Sequence, residues 1–359
     1  MDIKTLDTQT QCRLAYELWT SLWTGVTLAC LRSHGQDSIT ELEFRSLRRH
    51  HRKRFLPGME KLELGNEPTD AVRCGKYHYF SNTLGGLPME YVEETPNKVW
   101  VRYRPPFWIG DGVTQPSAGP AALGSDFGRA AFRGWHSHNG AMIGNPRLAF
   151  VQTQNLTDGD PWDAGYFCEF DRDLEPEETY QRRPGEWGPE FDPARAPALP
   201  HASWPQERKL RALRNYAVDH TATRFTILSE ILGLQAAAAV VEHAFRMVLA
   251  QRWLELPAAL GIEHIDTPLK AAHYMATTRG LLNEEAEIIE NTGEVRVRFS
   301  TSRMWRDEPI ALPEIDQAIV RAWSGVLPMH SPGLRCHASQ LLSMGDSCDE
   351  WAFDARGTP

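Results

Sequence analysis

The sequence lacks the motifs of the common nucleotide-, metal- and serine-dependent enzyme classes. It has no GxSxG elbow, no HExxH helix, no P-loop, no Rossmann glycine pattern and no kinase signature. Only six cysteines occur in 359 residues and none forms a CxxC pair, so neither a disulfide framework nor a zinc knuckle is predicted. These absences leave an enzyme without a cofactor, or a binding protein, as the classes to consider, and no metal site is predicted.

Long apolar runs and an excess of positive charge are also missing. The longest weakly polar stretch, "ILGLQAAAAVVEHAF", contains Gln235, Glu242 and His243 and is too short to span a bilayer. The N-terminal residues lack the apolar stretch of a secretory signal, so we expect a reducing cytoplasm. The one basic run, "RSLRRHHRKRF" (45–55), either touches phosphate or is the solvated face of a helix.

The formal net charge of −9 argues against a nucleic acid as the partner. We therefore predict a small-molecule substrate, with neither a nucleic acid nor a membrane as a partner. Self-association into a homo-oligomer is left open.

The chain carries an internal repeat. The string "GKYHYFSNTLGGLPMEYVEETPNKVWVRY" (75–103) is similar to "KAAHYMATTRGLLNEEAEIIENTGEVRVRF" (270–299). Further on, "NPRLAFVQTQNLTDGDPWDAGYF" (145–167) is similar to "SPGLRCHASQLLSMGDSCDEWAF" (331–353). Because the matching strings occur in the same order, they predict two tandem copies of one domain, related by a pseudo-twofold duplication.

Each copy has the same order of local signals. Apolar residues at helical spacing predict a helix pair at 9–33 and 38–56 in the first copy, and at about 207–232 and 234–254 in the second. A strand hairpin and two closing strands follow in each copy. A helix pair on one face of an antiparallel sheet is an α+β fold.

The domain boundaries follow from the repeat. We predict a first α+β copy at 1–171, a linker at 172–205 and a second copy at 206–359. The linker is acidic and holds seven of the 24 prolines, which is typical of extended surface chain. Only the first copy has a Gly/Pro-rich insertion, at 105–134, which is a candidate lid.

A family resemblance is visible in the second copy. Its helix pair, strand hairpin and closing "GDSCDEWAF" resemble the L-2-amino-thiazoline-4-carboxylic acid hydrolase-like family, and more distantly the 4-vinyl-reductase-type small-molecule-binding domain. The first resemblance implies a hydrolase acting on a C–N bond of a small polar molecule, cyclic molecules included. The second implies a binding or sensor module without turnover. Sensory relatives of the second group bind zinc through closely spaced cysteines near this turn, whereas here only Cys348 follows it.

The candidate catalytic groups are histidines, whose ordinary pKa suits proton transfer near neutral pH. His78 is repeated as His273, so the pair either faces one cavity or ties a helix end to the sheet in each copy. His136 and His138 of "WHSHNG" have no counterpart in the second copy. Their i, i+2 spacing places them on the same side of an extended segment, and the alternative is an exposed surface turn.

Other candidates would bind the substrate. Asn82 precedes the glycines of "TLGG", which permit close backbone approach. Glu90 would pair with a cation or act as a base. Arg102 would hold a substrate carboxylate or form a cross-strand ion pair. Trp108 and Trp135 would wall an apolar pocket or belong to the core.

We therefore predict that His78 or His136 activates water while Asn139, Asn82 or Tyr79 stabilises the oxyanion. The predicted catalytic residues are His78, Tyr79, His136 and Asn139, and the predicted substrate-binding residues are Asn82, Glu90, Arg102, Trp108, Trp135, His138 and His273.

Overall fold

The computed structural model describes residues 6–105, 119–262, 264–308 and 311–355. The chain forms two compact units. The central unit is His34–Tyr216, and the terminal unit combines the chain up to Ser33 with the chain from Ala217 onward. Each unit consists of helices and a β-sheet, which confirms the predicted α+β class.

The units do not share the boundaries predicted from the repeat. The first predicted helix belongs to the terminal unit, and the predicted linker at 172–205 belongs to the central unit. Similarity between segments tells which segments are alike, but it carries no information on which copy each segment contacts.

The central unit begins in a long helix. Helix α1 (Thr8–Lys61) is interrupted at Gly35, whose φ of 82° favours glycine, so the predicted pair of helices is present. Helix α2 (Asp70–Leu84) begins after Thr69, whose hydroxyl accepts a hydrogen bond from the Val72 N–H. The α-helices that follow in the central unit are α3 (Gly119–His136) and α4 (Asn139–Ile143).

The central sheet has five strands in the order β1-β2-β4-β3-β5. They are β1 (Met89–Thr95), β2 (Lys98–Tyr103), β3 (Leu148–Gln154), β4 (Asp163–Glu169) and β5 (Tyr180–Arg182). The first four strands pair antiparallel, which confirms the predicted hairpin and closing strands. The fifth strand lies inside the predicted linker and pairs parallel to β3, so that segment is part of the sheet.

The two faces of this sheet have different coverings. Val99, Val101 and Tyr103 of β2 face the core that includes helices α1 and α2. Trp100 and Tyr166 lie on the other face. There, Glu186, which lies in the segment predicted to be a linker, accepts hydrogen bonds from Lys98 and Tyr166. The segment predicted to be a linker therefore covers the second face of the sheet.

The terminal unit has the same kind of architecture. Its helices after the central unit are α5 (Gln206–Leu232, which begins in the central unit), α6 (Leu234–Arg252), α7 (Glu255–Ala259), α8 (Pro268–Gly280) and α9 (Pro313–His330). Its strands are β6 (Ala286–Asn291), β7 (Glu294–Phe299), β8 (Leu334–Gln340) and β9 (Asp349–Ala355), in the antiparallel order β6-β7-β9-β8.

One local feature recurs in both sheets. Asp163 begins β4 and accepts the backbone N–H of Leu156 at 2.6 Å. Asp349 begins β9 and accepts the backbone N–H of Leu342 at 2.8 Å. In each case the donor belongs to the turn that precedes the strand, so the aspartate fixes that turn against the sheet.

No helix in the described part of the chain has the length and hydropathy needed to cross a bilayer. All six cysteines are free thiols.

Candidate functional site

The central unit contains a pocket on the helix-facing side of its sheet. Its volume is about 100 Å³, whereas one water molecule needs roughly 10–15 Å³ on the same measure. Helices α1, α2, α3 and α5 and strands β2 and β4 all contribute to it. The polar lining residues are Glu43, Asn82, Tyr103, His136, Asp163 and Tyr216, and the apolar ones are Leu47, Leu87, Ala131, Phe132 and Trp135.

A directed chain of hydrogen bonds runs along this lining. The Tyr216 hydroxyl donates to Asn82 Oδ1 at 2.7 Å, and Asn82 Nδ2 donates to the Tyr103 hydroxyl at 3.1 Å. The Tyr103 hydroxyl lies 2.7 Å from His136 Nε2, and His136 Nδ1 lies 3.3 Å from the carbonyl oxygen of Phe132. Since a carbonyl only accepts, Nδ1 carries the imidazole proton and Tyr103 donates to Nε2.

Tyr216 reaches Asn82 because of a glycine. A Cβ atom on Gly85 would lie 2.8 Å from carbon atoms of the Tyr216 ring, too close for any real side chain. The absence of a side chain at Gly85 therefore makes room for the Tyr216 ring.

Burial holds the histidine and tyrosine of this chain in their neutral forms. It lowers the pKa of His136 well below its usual value, and it raises the pKa of Tyr103 well above its usual value. The Tyr103–His136 pair is therefore an uncharged hydroxyl–imidazole pair at neutral pH.

Asp163 behaves differently. Burial raises the pKa of its carboxyl to about 7, against the effect of the Leu156 N–H, and the neighbouring Asp160 and Asp158 raise it further. Asp163 is therefore a lining group that gains and loses a proton near neutral pH.

The titratable side chains of the described lining include acidic residues but no lysine or arginine. Glu43 and Asp163 contribute the carboxyl groups. When it is ionised, Asp163 favours a neutral or cationic ligand over an anionic one.

A histidine cluster lies behind the pocket. Asn139 bridges two of its members, with Oδ1 at 2.5 Å from His51 Nε2 and Nδ2 at 2.8 Å from His78 Nε2. The His78 ring centroid lies 4.3 Å from that of His136 and 5.6 Å from that of Trp135. The structure thus brings together five of the predicted site residues, His78, Trp135, His136 and Asn139 in this cluster and Asn82 in the pocket lining.

The cluster is neutral as well as buried. His78 is 0% exposed, Asn139 1% and His136 3%. Burial lowers the pKa of His51 to about 3 and that of His78 well below its usual value. Among the described residues, no group of three or more histidine, cysteine, aspartate or glutamate side chains is placed to hold a metal ion.

The "WHSHNG" segment is neither extended nor an exposed turn, so both interpretations of it are wrong. It joins α3 to α4, with His136 ending the first helix and His138 in the N-cap position of the second. His136 and Asn139 point into the core, whereas His138 is partly exposed and does not line the pocket. Helical geometry, not strand alternation, sets which side chains share a face here.

Arg102 and Glu90 lie away from the pocket. They are directly opposite each other on β1 and β2, and Arg102 Nη1 is 2.9 Å from Glu90 Oε2. Arg102 also donates to the carbonyl oxygen of Pro189. The predicted cross-strand ion pair is confirmed. Arg102 cannot hold a substrate carboxylate in the pocket, because Tyr103, the next residue on the strand, lines the pocket and Arg102 therefore faces the opposite side of the sheet.

The remaining candidates are also elsewhere. Tyr79 packs against Phe80 and Tyr91, with ring centroids at 5.5 and 5.8 Å, and does not line the pocket. His273 is exposed on α8 of the terminal unit. Trp108 lies outside the described residues.

The structure adds site residues that the sequence did not single out, namely Glu43, His51, Tyr103, Asp163 and Tyr216. Tyr103 carried a usable signal, because the repeat aligns it with Phe299 and only the first copy has the hydroxyl. His51 also carried one, since it stacks on Phe55, four residues along the same helix, at 4.3 Å. It lies in the basic run for which either phosphate contact or a solvated helix face was predicted, yet it is 0% exposed.

Comparison with protein-family models, with curated proteins and with solved structures found no match to this chain, so its function is inferred from the geometry of the site.

Proposed function

We propose that the central pocket is a catalytic site that hydrolyses a C–N bond in a small molecule bearing N–H groups. One observation carries the proposal: a carboxyl group with a pKa of about 7, on Asp163, lines the same pocket as the Tyr103–His136 pair. A group that is half protonated near neutral pH can both remove and return a proton.

The substrate class follows from the lining. The carboxyl group of Asp163 and the phenol oxygen of Tyr103 are hydrogen-bond acceptors that line the pocket, and no lysine or arginine is among the described lining residues. N–H donors on a cyclic amide, a urea or an amidine would satisfy these acceptors. A substrate carboxylate would instead meet like charge, so we do not retain a carboxylate-binding arginine.

Asp163 would carry the proton through the reaction. As a carboxylate it removes a proton from water, and the water oxygen attacks the carbon of the C–N bond. The protonated carboxyl then donates that proton to the leaving nitrogen, and the C–N bond breaks. The products are a free amine group and a carbonyl compound that has gained the water oxygen, so atoms and charge balance.

His136 has a positioning role in this proposal rather than the predicted role of general base. Its Nε2 already accepts the Tyr103 proton, which turns the remaining lone pair of the phenol oxygen toward other donors. A substrate N–H is the donor that the pocket would supply.

A binding module without turnover is the second candidate. Both ring nitrogens of His136 are hydrogen-bonded, and burial lowers the pKa values of His51, His78 and His136. Histidines in this state hold a pocket in shape without exchanging protons, which favours binding alone.

We further propose that the two units descend from one duplicated domain. The support is the common strand order of the two sheets and the equivalent positions of Asp163 and Asp349 in their turns. The first helix and the linker would have changed their packing after the duplication.

The test uses the full-length protein with hydantoin, dihydrouracil and 2-aminothiazoline as separate probes, and mass spectrometry to detect ring opening. Asp163→Asn should reduce turnover about 100-fold or more, the scale of one general acid–base group. Asp160→Asn is the matched control, because Asp160 accepts the N–H of Asn155 in the same turn but does not line the pocket.

Equal losses in the two variants would show that only the turn matters and would reject the catalytic role. If no probe is opened but a probe raises the melting temperature of the wild-type protein and not of Asp163→Asn, the binding module replaces the hydrolase.

A further inference from the structure

The terminal unit has a pocket of its own, with a volume of about 110 Å³. Helices α1, α6, α8 and α9 and strand β9 contribute to it, together with the chain around residues 302–304. Large apolar side chains dominate its walls, and four of them are aromatic, namely Trp19, Phe245, Trp323 and Trp351.

Asp316 is an acidic group in this apolar lining. It is 9% exposed, and its two carboxyl oxygens lie 2.9 and 3.0 Å from the indole nitrogen of Trp305. Within the described residues, no basic side chain forms an ion pair with Asp316. A buried carboxylate that has only neutral hydrogen-bond donors is destabilised relative to one with a cationic partner.

Arg279, the guanidinium of this pocket, is already engaged. Its Nη1 lies 2.9 Å from Asp349, and its Nε donates to Glu284. Glu284 also accepts the backbone N–H of Arg303. The lining therefore contains three carboxyl groups and one guanidinium, and the guanidinium is bound to the two carboxylates other than Asp316.

We propose that this pocket binds a small organic amine in its ammonium form, with the ammonium group paired to Asp316 and the organic part against the tryptophans. An ammonium group supplies the cation that Asp316 lacks, and indole faces attract cations. The apolar walls exclude water from the pair, which strengthens the attraction. The site is separate from the proposed hydrolytic pocket and does not depend on it.

The ammonium form should bind less well in acid. Burial raises the pKa of Asp316 to about 6, so the carboxylate is lost below that pH. The charged groups that line the same pocket are Asp349, which raises this pKa, Arg279, which lowers it, and Glu284, which is paired with Arg279.

The experiment measures binding to the full-length protein by isothermal titration calorimetry. The probes are 2-phenylethylamine, 2-phenylethanol as the neutral counterpart and 3-phenylpropionate as the anion. We expect the amine to bind at least about tenfold more tightly than the alcohol, and the anion to bind least. Between about pH 7.5 and about pH 5 the amine affinity should fall about tenfold, while the alcohol affinity stays constant.

Variants locate the interaction. Asp316→Asn should weaken amine binding at least about tenfold and leave alcohol binding unchanged. Glu287→Gln, which removes an exposed carboxylate of the same unit, should leave the amine affinity unchanged.

Either of two results would overturn the proposal: equal affinity for amine and alcohol, or unchanged amine binding in Asp316→Asn. If Asp316→Asn does not fold, the pH dependence in the wild-type protein decides, and a constant amine affinity down to pH 5 rejects the site.

Discussion

Tyr103 of β2 donates a hydrogen bond to His136 at the end of α3, with 2.7 Å between the phenol oxygen and Nε2. This bond ties the sheet to a helix at the wall of the central pocket. Tyr103 is 7% exposed and His136 3%, so both groups are largely shielded from bulk water. The contact thus contributes to stability as well as to the shape of the site.

Tyr103→Phe should destabilise the central unit. The substitution leaves Asn82 Nδ2 with one partner fewer and His136 Nε2 without its donor, and a buried unsatisfied group costs about 1–3 kcal/mol. Thermal and urea unfolding followed by circular dichroism would measure the loss. Tyr79→Phe removes a hydroxyl that makes no hydrogen bond among the described residues, and it should change stability much less. Equal effects of the two variants would contradict the assigned network.

The central unit should lose stability in mild acid. His51, with a folded pKa of about 3, and His78 and His136, with pKa values well below the usual value, stay neutral when folded but take up protons when unfolded below about pH 6.5. Their stabilisation is complete above that pH. It falls by about 1.4 kcal/mol per histidine for each pH unit below it.

Asp163 opposes this trend, because its raised pKa makes the folded state bind a proton that the unfolded state releases. The three histidines change the free energy of unfolding more than the one carboxyl does. The melting temperature should therefore decrease as the pH is lowered from about 6.5 to about 5. His51→Gln, if folded, should reduce that slope, and a flat profile in the wild-type protein would show that the histidines are hydrated.

Asn139→Asp should make the protein less sensitive to acid than the wild type. The new carboxylate would face His51 and His78 at hydrogen-bond distance and raise both pKa values. Nuclear magnetic resonance titration of the two imidazoles would measure the change directly. Asn139→Ala, which supplies neither charge nor hydrogen bonds, is the comparison and should lower stability at every pH. An unchanged imidazole titration in Asn139→Asp would contradict the bridging position of residue 139.

Gly134→Ala should disturb the pocket by displacing α3. A Cβ at this position would lie 2.7 Å from the backbone carbonyl oxygen of Phe44, which cannot rotate away as a side chain would. Overpacking of this kind costs about 1–3 kcal/mol, more than the helix propensity that alanine adds. Gly65→Ala meets no atom within 4 Å and serves as the control. A thermal melt of both variants would reveal a loss confined to Gly134→Ala.

Local patterns in the sequence were sufficient to predict the secondary structure around the site, but not to predict which residues line the site. The predicted strand hairpin of the first copy is present as β1 and β2, and the gap between the helices predicted at 9–33 and 38–56 contains Gly35, where α1 is interrupted. Asp163 and Asp349 occupy matching positions in the repeated strings 145–167 and 331–353, but nothing in those strings shows that Asp163 lines a pocket, so it was missed. Burial decides the pKa of such a group, and burial depends on contacts between segments that are distant in sequence.

Division of the chain into a central and a terminal unit also has a consequence for synthesis. The central unit, His34–Tyr216, is continuous and can fold as soon as it leaves the ribosome. The helix that precedes Gly35 belongs with residues made only afterwards, so its apolar face stays unburied for most of translation. Until the residues from Ala217 onward are made, this helix therefore lacks the partners that bury its apolar face.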